Sequence, residues 1–382
     1  MSPEPIYADF ASSAHPLPEV VEAMLEWLGS KHANPHASHL PGHQAAAAVE
    51  NARIQIAELI DADPDGIILT SGATESNNLA IKGLAGQDLN QVLFSPLDHS
   101  SIIETVMAVQ RQSGCGLIEI AHDEVGLVDA ERLAALCKTV RGRCLVAIAH
   151  GNNEIGTVQP LDQIATVTQA GNHFLHVDAS QTAAHVSISV QGIQPSSLSL
   201  SAHKLYGPAG IGALWVDPDL HGRLVPQLHG GGQQGGLRSG TVPTYLAVGF
   251  GVAAEAARKR MAENASHVSA RASQLLDELR SRGMQLSVIG PVSGRLPGHL
   301  SLRFPGVDAL DLLNRLLPKL SISTGSACSA GELRASRVLR SLGLTEEAAS
   351  EGLRFSFGRT TTPQEISLMA EYVSDVVTDL AL

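Results

Sequence analysis

Asp178 and Lys204 stand 26 positions apart, and each follows a short apolar run. His173-Phe174-Leu175-His176-Val177 precedes the acid, and Ser197-Leu198-Ser199-Leu200 precedes Ser201-Ala202-His203-Lys204. A lysine amine can hold an aldehyde cofactor as a Schiff base, and a carboxylate can keep a pyridine nitrogen protonated so that the ring accepts electrons. Both apolar runs read as buried strands, and in an open α/β sheet the strand ends converge on one crevice. Amine, acid and crevice are what pyridoxal 5'-phosphate chemistry needs. Residue type alone favours plainer roles, a solvated loop cation and a helix cap. The accompanying residues decide.

The elements that would position this pair are visible as an alternation. Apolar runs at 67–69, 92–94, 117–120 and 145–148 are separated by helical patterns, which predicts a mostly parallel sheet. After Tyr245 an Ala-rich stretch reaches Leu275, Leu276 and Leu279, enough for one or two helices leading out of a large domain. A smaller α+β domain is expected beyond it, with strands at 286–289, 300–304, 320–322 and 353–357. The 382 residues suffice for two domains, and no internal repeat or low-complexity linker interrupts them.

Composition narrows the class. With 44% hydrophobic residues the chain is not a disordered one. A net charge of −12 provides no general basic footprint for nucleic acid or anionic membrane. The four cysteines, at 115, 137, 144 and 328, lack zinc-type paired spacing and are too few for a disulfide scaffold. They read as reduced thiols in a soluble, cytoplasmic protein, and Met1-Ser2-Pro3-Glu4-Pro5 does not resemble an export signal.

Eight motifs occur in order along the chain: Thr70-Ser71-Gly72-Ala73-Thr74-Glu75-Ser76-Asn77-Asn78, Asp98-His99-Ser100-Ser101, Asn152-Asn153-Glu154-Ile155-Gly156-Thr157, Val177-Asp178-Ala179-Ser180-Gln181, Ser201 to Pro208, Gly230 to Thr241, Thr324-Gly325-Ser326-Ala327-Cys328-Ser329, and Leu353 to Arg359. Together they resemble the NifS-like cysteine desulfurases of aminotransferase class V. The resemblance implies the pyridoxal-phosphate fold of type I: an α/β protein with a mostly parallel seven-stranded sheet in a large domain, expected over 15–255, and a smaller α+β domain over 1–14 and 256–382. It also implies a homodimer.

The site expected from that resemblance has several parts. Ser71, Gly72, Ala73 and Thr74 follow a strand and open a helix, where backbone amides converge on an anion such as the cofactor phosphate. By resemblance Ser201 and His203 also bind the phosphate, Thr241 reaches the phosphate of the other subunit, and Gln181 contacts the ring hydroxyl. His99 would stack on the ring and relay protons, and Asn153 would bond the substrate carboxylate and the cofactor edge. Arg354, in a Leu-Arg-Phe strand, can hold an amino acid carboxylate by two parallel hydrogen bonds.

Cys328 decides between reactions. Transamination needs only the lysine and the cofactor, whereas sulfur removal needs a nucleophile that takes sulfur from the substrate thiol. Small residues surround Cys328 and suit an exposed, mobile loop from which a persulfide could be delivered to a sulfur-acceptor protein. Cys115, Cys137 and Cys144 read as buried small hydrophobes. The expected reaction is therefore L-cysteine to L-alanine, with the sulfur serving iron–sulfur cluster, thionucleoside or DNA phosphorothioate synthesis. Selenocysteine lyase, class V aminotransferase and non-catalytic sulfur carrier are the alternatives.

Some features depart from the pattern or mislead. Asp9-Phe10-Ala11-Ser12-Ser13 replaces the family's Asp-x-x-Ala-Thr-Thr, Ala335 replaces a proline, and Asp379-Leu380-Ala381-Leu382 ends the chain without the tail of housekeeping relatives. His32, His36, His39 and His43 are spaced like helical ligands, but Pro35 and Pro41 are expected to break that helix, so no metal site is expected there. The glycine cluster from Gly230 to Gly240, with Arg238 and Thr241, reads as an interface loop reaching a neighbouring active site.

Overall fold

The computed structural model describes residues 5–85, 89–324 and 336–380. Cys328, the expected mobility of its loop, Ala335 and the last two residues lie outside the described residues. In chain order the strands are β1 (Ile6–Tyr7), β2 (Ile67–Thr70), β3 (Gln91–Phe94), β4 (Gly116–Glu119), β5 (Cys144–Ala149), β6 (Phe174–Asp178), β7 (Ser197–Ser201), β8 (Gly212–Val216), β9 (Ser287–Val288), β10 (His299–Arg303), β11 (Leu320–Ser321) and β12 (Gly352–Ser356). The helices are α1 (Pro18–Leu28), α2 (Leu40–Leu59), α3 (Ala73–Ala85), α4 (Ser100–Ser113), α5 (Ala130–Thr139), α6 (Leu161–Ala170), α7 (Val190–Ile193), α8 (Thr244–Ser281), α9 (Ala309–Leu316), α10 (Arg337–Ser341), α11 (Glu346–Ser350) and α12 (Pro363–Leu380).

Seven strands form the central sheet in the order β2-β8-β7-β6-β5-β3-β4. Only β8 runs against its neighbours, pairing antiparallel with both β2 and β7. Strands β5 to β8 bury every residue, as expected where helices cover both faces of a parallel sheet. β8 is absent from the expected strands for a physical reason: it returns antiparallel to β7 through a connection that holds only a single 3-10 turn, so no intervening α-helix marks it. The sheet is thus α/β and mostly parallel, as expected.

Beyond the sheet, β12-β10-β9 form an antiparallel sheet, and β1 pairs parallel with β11. Isolated bridges join Asp9 to Ser356 and Ser323 to Arg354, so the N-terminal strand is stitched to the C-terminal third of the chain. Helix α8 links the two regions without a break. Its 38 residues span about 57 Å at 1.5 Å per residue. Ala247, Phe250, Ala254 and Ala257 pack into the core beneath the large sheet. Val268, Ala272, Leu275, Leu276 and Leu279 pack into a second core with Leu300, Leu302, Leu353 and Phe355.

Helix starts follow local chemistry. Asp129 accepts hydrogen bonds from the amides of Glu131 and Arg132 at the start of α5, an N-cap arrangement. Pro41 does not break a helix here. It sits in the first turn of α2, where its missing N–H costs nothing, and His39 caps that turn by accepting from Gly42 N at 3.1 Å.

Candidate active site

One cavity of about 370 Å³ opens where β2, β5, β6 and β7 end, the carboxyl edge at which open α/β sheets bind ligands. Among the residues lining it are Ala73, Thr74, His99, Asn153, Asp178, Gln181, Ser201, His203, Lys204 and Arg354. The structure therefore brings together every expected site residue among those described except Thr241. Thr241 is exposed and does not line this chain's own cavity.

The floor is set by β6 and β7. They pair in parallel, so Asp178 at the end of β6 and the Ser201-Ala202-His203-Lys204 turn after β7 emerge side by side. Asp178 is 6% exposed. Its carboxylate accepts from Asn77 Nδ2 at 2.8 Å and from Ser180 N at 2.9 Å. Burial opposes its charge, yet the bonds from Ser180 and Asn77 outweigh that and hold the carboxyl below its usual range.

Asn77 is the hub of a buried polar chain. Fully inaccessible, it donates to Asp178 and, at 2.8 Å, to Ser101 Oγ, while its carbonyl oxygen lies 3.0 Å from His176 Nε2. Ser101 Oγ lies 2.8 Å from His99 Nδ1, which also accepts from Ser101 N at 3.1 Å. His99 is thus the N-cap of α4 as well as a cavity residue. With Nδ1 accepting, the neutral ring carries its proton on Nε2. Burial, then the Lys204 charge, pushes the His99 pKa down.

Ser71 to Thr74 lead from β2 into the start of α3, the strand-to-helix order expected of them. Ser71 N donates to Glu75 Oε2 at 2.7 Å and Thr70 Oγ1 meets Ser76 Oγ at 2.7 Å, fixing the turn from β2 into α3. The first-turn amides of α3 have no intrahelical acceptors. Gly212 lets β8 approach this turn: a Cβ there would lie 2.7 Å from the Gly72 backbone.

The glycine-rich loop is tied to the turn from β2 into α3. Arg238 engages its own chain, donating to Glu75 at 2.8 Å. Gln234 exchanges bonds with the Leu69 backbone, donating to its carbonyl and accepting from its amide, each at 2.8 Å. Within the chain Arg238 thus braces the turn from β2 into α3, and its bond holds the Glu75 carboxyl below its usual range against the effect of burial.

Arg354 is 4% exposed. Its terminal nitrogens donate to the carbonyl of Asn153 at 2.9 Å and to Asp9 at 2.6 Å. Two of five N–H donors are used, and Nε is buried without an acceptor. Gln181 donates to the carbonyl of Ala11 at 3.0 Å, and His203 Nδ1 lies 3.2 Å from Ser13 Oγ.

Both described ends of the segment that carries Cys328 reach the cavity rim. Ser323 exchanges backbone bonds with Arg354. Ser336 donates to Glu154, next to Asn153, and Arg337 donates to the carbonyls of Pro96 and Asp98, next to His99.

Asn77, Ser101, His176, Ser180, Asp98 and Glu154 have functional surroundings that the sequence reading did not assign. The available signal was polarity at strand positions destined for burial: His176 interrupts an apolar strand, and a buried imidazole must find partners.

Comparison with known proteins agrees with the geometry. A family model described as aminotransferase class-V matches residues 6–369. The cysteine desulfurase IscS of Vibrio vulnificus is 40% identical over 98% of this chain and 93% of its own length. Among solved structures, a NifS-like protein superposes with a TM-score of 0.90 at 28% identity, covering 98% of this chain and 100% of that one. The protein SspA in complex with cysteine superposes at 0.81 with 33% identity, covering 94% of this chain and 100% of that one. The chain belongs to the class-V aminotransferase family, alongside its cysteine desulfurases.

Proposed function

We propose that this chain removes sulfur from L-cysteine with the help of pyridoxal 5'-phosphate, leaving L-alanine and a persulfide on Cys328 that passes to a sulfur-acceptor protein. The observation that carries this reading is the convergence of Lys204, an ionised Asp178 and His99 on one cavity that the start of α3 also walls. The same donor set fits the cofactor. A helix start and the Ser201 and His203 side chains suit a phosphate, a carboxylate held in its charged form suits a protonated pyridine nitrogen, and an amine suits an aldehyde. Thr241, exposed on its own chain, would complete the phosphate site of a partner in a cytoplasmic homodimer. The SspA complex with cysteine supports the substrate.

When bound, the cofactor supplies an electron sink that acidifies the substrate Cα–H. The remaining work falls to side chains. Asp178, braced by Asn77, keeps its charge in a buried place and would hold the proton on the cofactor's ring nitrogen. Arg354 and Asn153 orient the substrate carboxylate beside Asp9. Lys204 moves the proton at Cα, and His99, neutral with its proton on Nε2, can lend one where the departing groups need it. Cys328 thiolate forms a bond to the substrate sulfur as the carbon–sulfur bond breaks, and alanine leaves with the proton delivered to its Cβ.

Borohydride reduction of the protein after incubation with pyridoxal 5'-phosphate, followed by peptide mapping, tests the assignment. A pyridoxyl group on Lys204 is expected. A label on another lysine, or none, overturns it.

A further inference from the structure

A second set of reactive side chains lies at the opposite edge of the central sheet from the cavity. Cys137 is in the last turn of α5, Cys144 opens β5, and His173 ends the turn before β6. One ligand atom from each falls within 4.8 Å of the other two. Sequence spacing conceals the group, since Cys144 and His173 are 29 positions apart. The cysteines are 7% and 0% exposed. His173 is partly exposed, its Nδ1 accepts from Cys144 N at 3.2 Å, and its Nε2 is buried with no hydrogen-bond partner. Packing has been shaped around this ring: a Cβ on Gly171 would lie 2.4 Å from His173 Nε2.

We infer that Cys137, Cys144 and His173 form a binding site for one thiophilic divalent cation of the zinc class, separate from the cofactor cavity. Two sulfurs and one imidazole nitrogen are the donors that such ions select, and three protein ligands leave a fourth position for water. Tetrahedral bond lengths of about 2.3 Å to sulfur and 2.0 Å to nitrogen put ligand atoms roughly 3.5–3.8 Å from one another. Ligand atoms within 4.8 Å of one another would close to this by side-chain rotation on binding. Two thiols side by side with an imidazole whose Nε2 is buried form a polar cluster that a plain apolar core does not require. Binding releases the two thiol protons to solvent and needs no oxidant. His173 is the open edge through which the ion enters. The bound ion would pin the end of α5 to the starts of β5 and β6, about 16 Å along β5 from the cavity at 3.3 Å per residue.

The test uses the full-length holoenzyme carrying Cys328→Ser, so that the loop thiol cannot contribute. After equilibration with zinc sulfate and desalting, one zinc per chain is expected by elemental analysis, and X-ray absorption should show two sulfur neighbours with nitrogen or oxygen completing the shell. Cys137→Ser in the same background should lower retained zinc at least tenfold, and His173→Ala should do likewise. The absorption measurement needs no change to the cluster itself, so poor folding of a variant does not blunt it. A zinc-free protein, a shell of nitrogen and oxygen only, retention indifferent to Cys137→Ser, or an intact mass lower by two hydrogens from a Cys137–Cys144 disulfide would each overturn the inference.

Discussion

Replacing Asn77 by alanine probes the buried chain that keeps Asp178 charged. The side chain provides one of two hydrogen bonds to that carboxylate, at 2.8 Å, the other coming from Ser180 N at 2.9 Å. A hydrogen bond to a charged group contributes about 1.5–3 kcal/mol, and one pKa unit corresponds to about 1.4 kcal/mol. Losing the Asn77 bond should therefore raise the Asp178 pKa by roughly one to two units. The sign follows from linkage: this carboxyl is held below its usual range, so its charged form is fully present at neutral pH and is lost as pH falls through that pKa. A higher pKa moves the loss to higher pH. Cofactor retention, measured by absorbance after equilibration at stepped pH, should show its acid limb displaced upward by about one to two units. His176 Nε2 and Ser101 Oγ lose their Asn77 partner in the same variant. At about 1–3 kcal/mol each, the apo-protein should be destabilised by about 2–6 kcal/mol in urea unfolding. A folded Asn77→Ala protein whose acid limb superposes on that of the wild type would refute the reasoning.

Other outcomes follow from the same geometry. Asp98 is buried and its pKa is pushed up to about 8 by burial, so it is neutral at pH 7; Asp98→Asn should melt higher than wild type above pH 8, and the gap should narrow steadily as pH falls from about 8 to about 4 and be gone below that. Arg354→Lys keeps the charge but loses the planar fork, so KM for cysteine should rise about tenfold or more while the cofactor spectrum is unchanged. Glu75→Gln removes the carboxylate that holds Arg238, and amide exchange across 230–240 should accelerate. Wild type should show the same acceleration only at acid pH, since the Glu75 carboxyl is held below its usual range and the pair is lost as pH falls through it.

The sequence made the sheet legible where helices separate strands, and it hid β8, which follows β7 with no α-helix between. The site was legible where residues cluster in motifs. Lys204, Asp178, His99 and Arg354 were found by type, position and resemblance, and the cavity collects them. Partnerships between distant segments were not legible. Nothing in the local sequence tells that Asp9 will face Arg354, 345 positions away, or that Arg238 will meet Glu75, 163 positions away. The same holds for Asn77 and His176, 99 positions apart, whose bond depends on how α3 packs over β6. Charge pairing and buried hydrogen bonding are fixed by tertiary packing, which residue spacing does not encode.

Alanine and sulfide released from L-cysteine by wild type, Lys204→Ala and Cys328→Ser proteins, with a thiol reductant present to discharge the persulfide, test the central claim most directly. Wild type should yield the two products in equal amounts, and both variants should yield neither above background. Sustained sulfide release by Cys328→Ser would contradict the account.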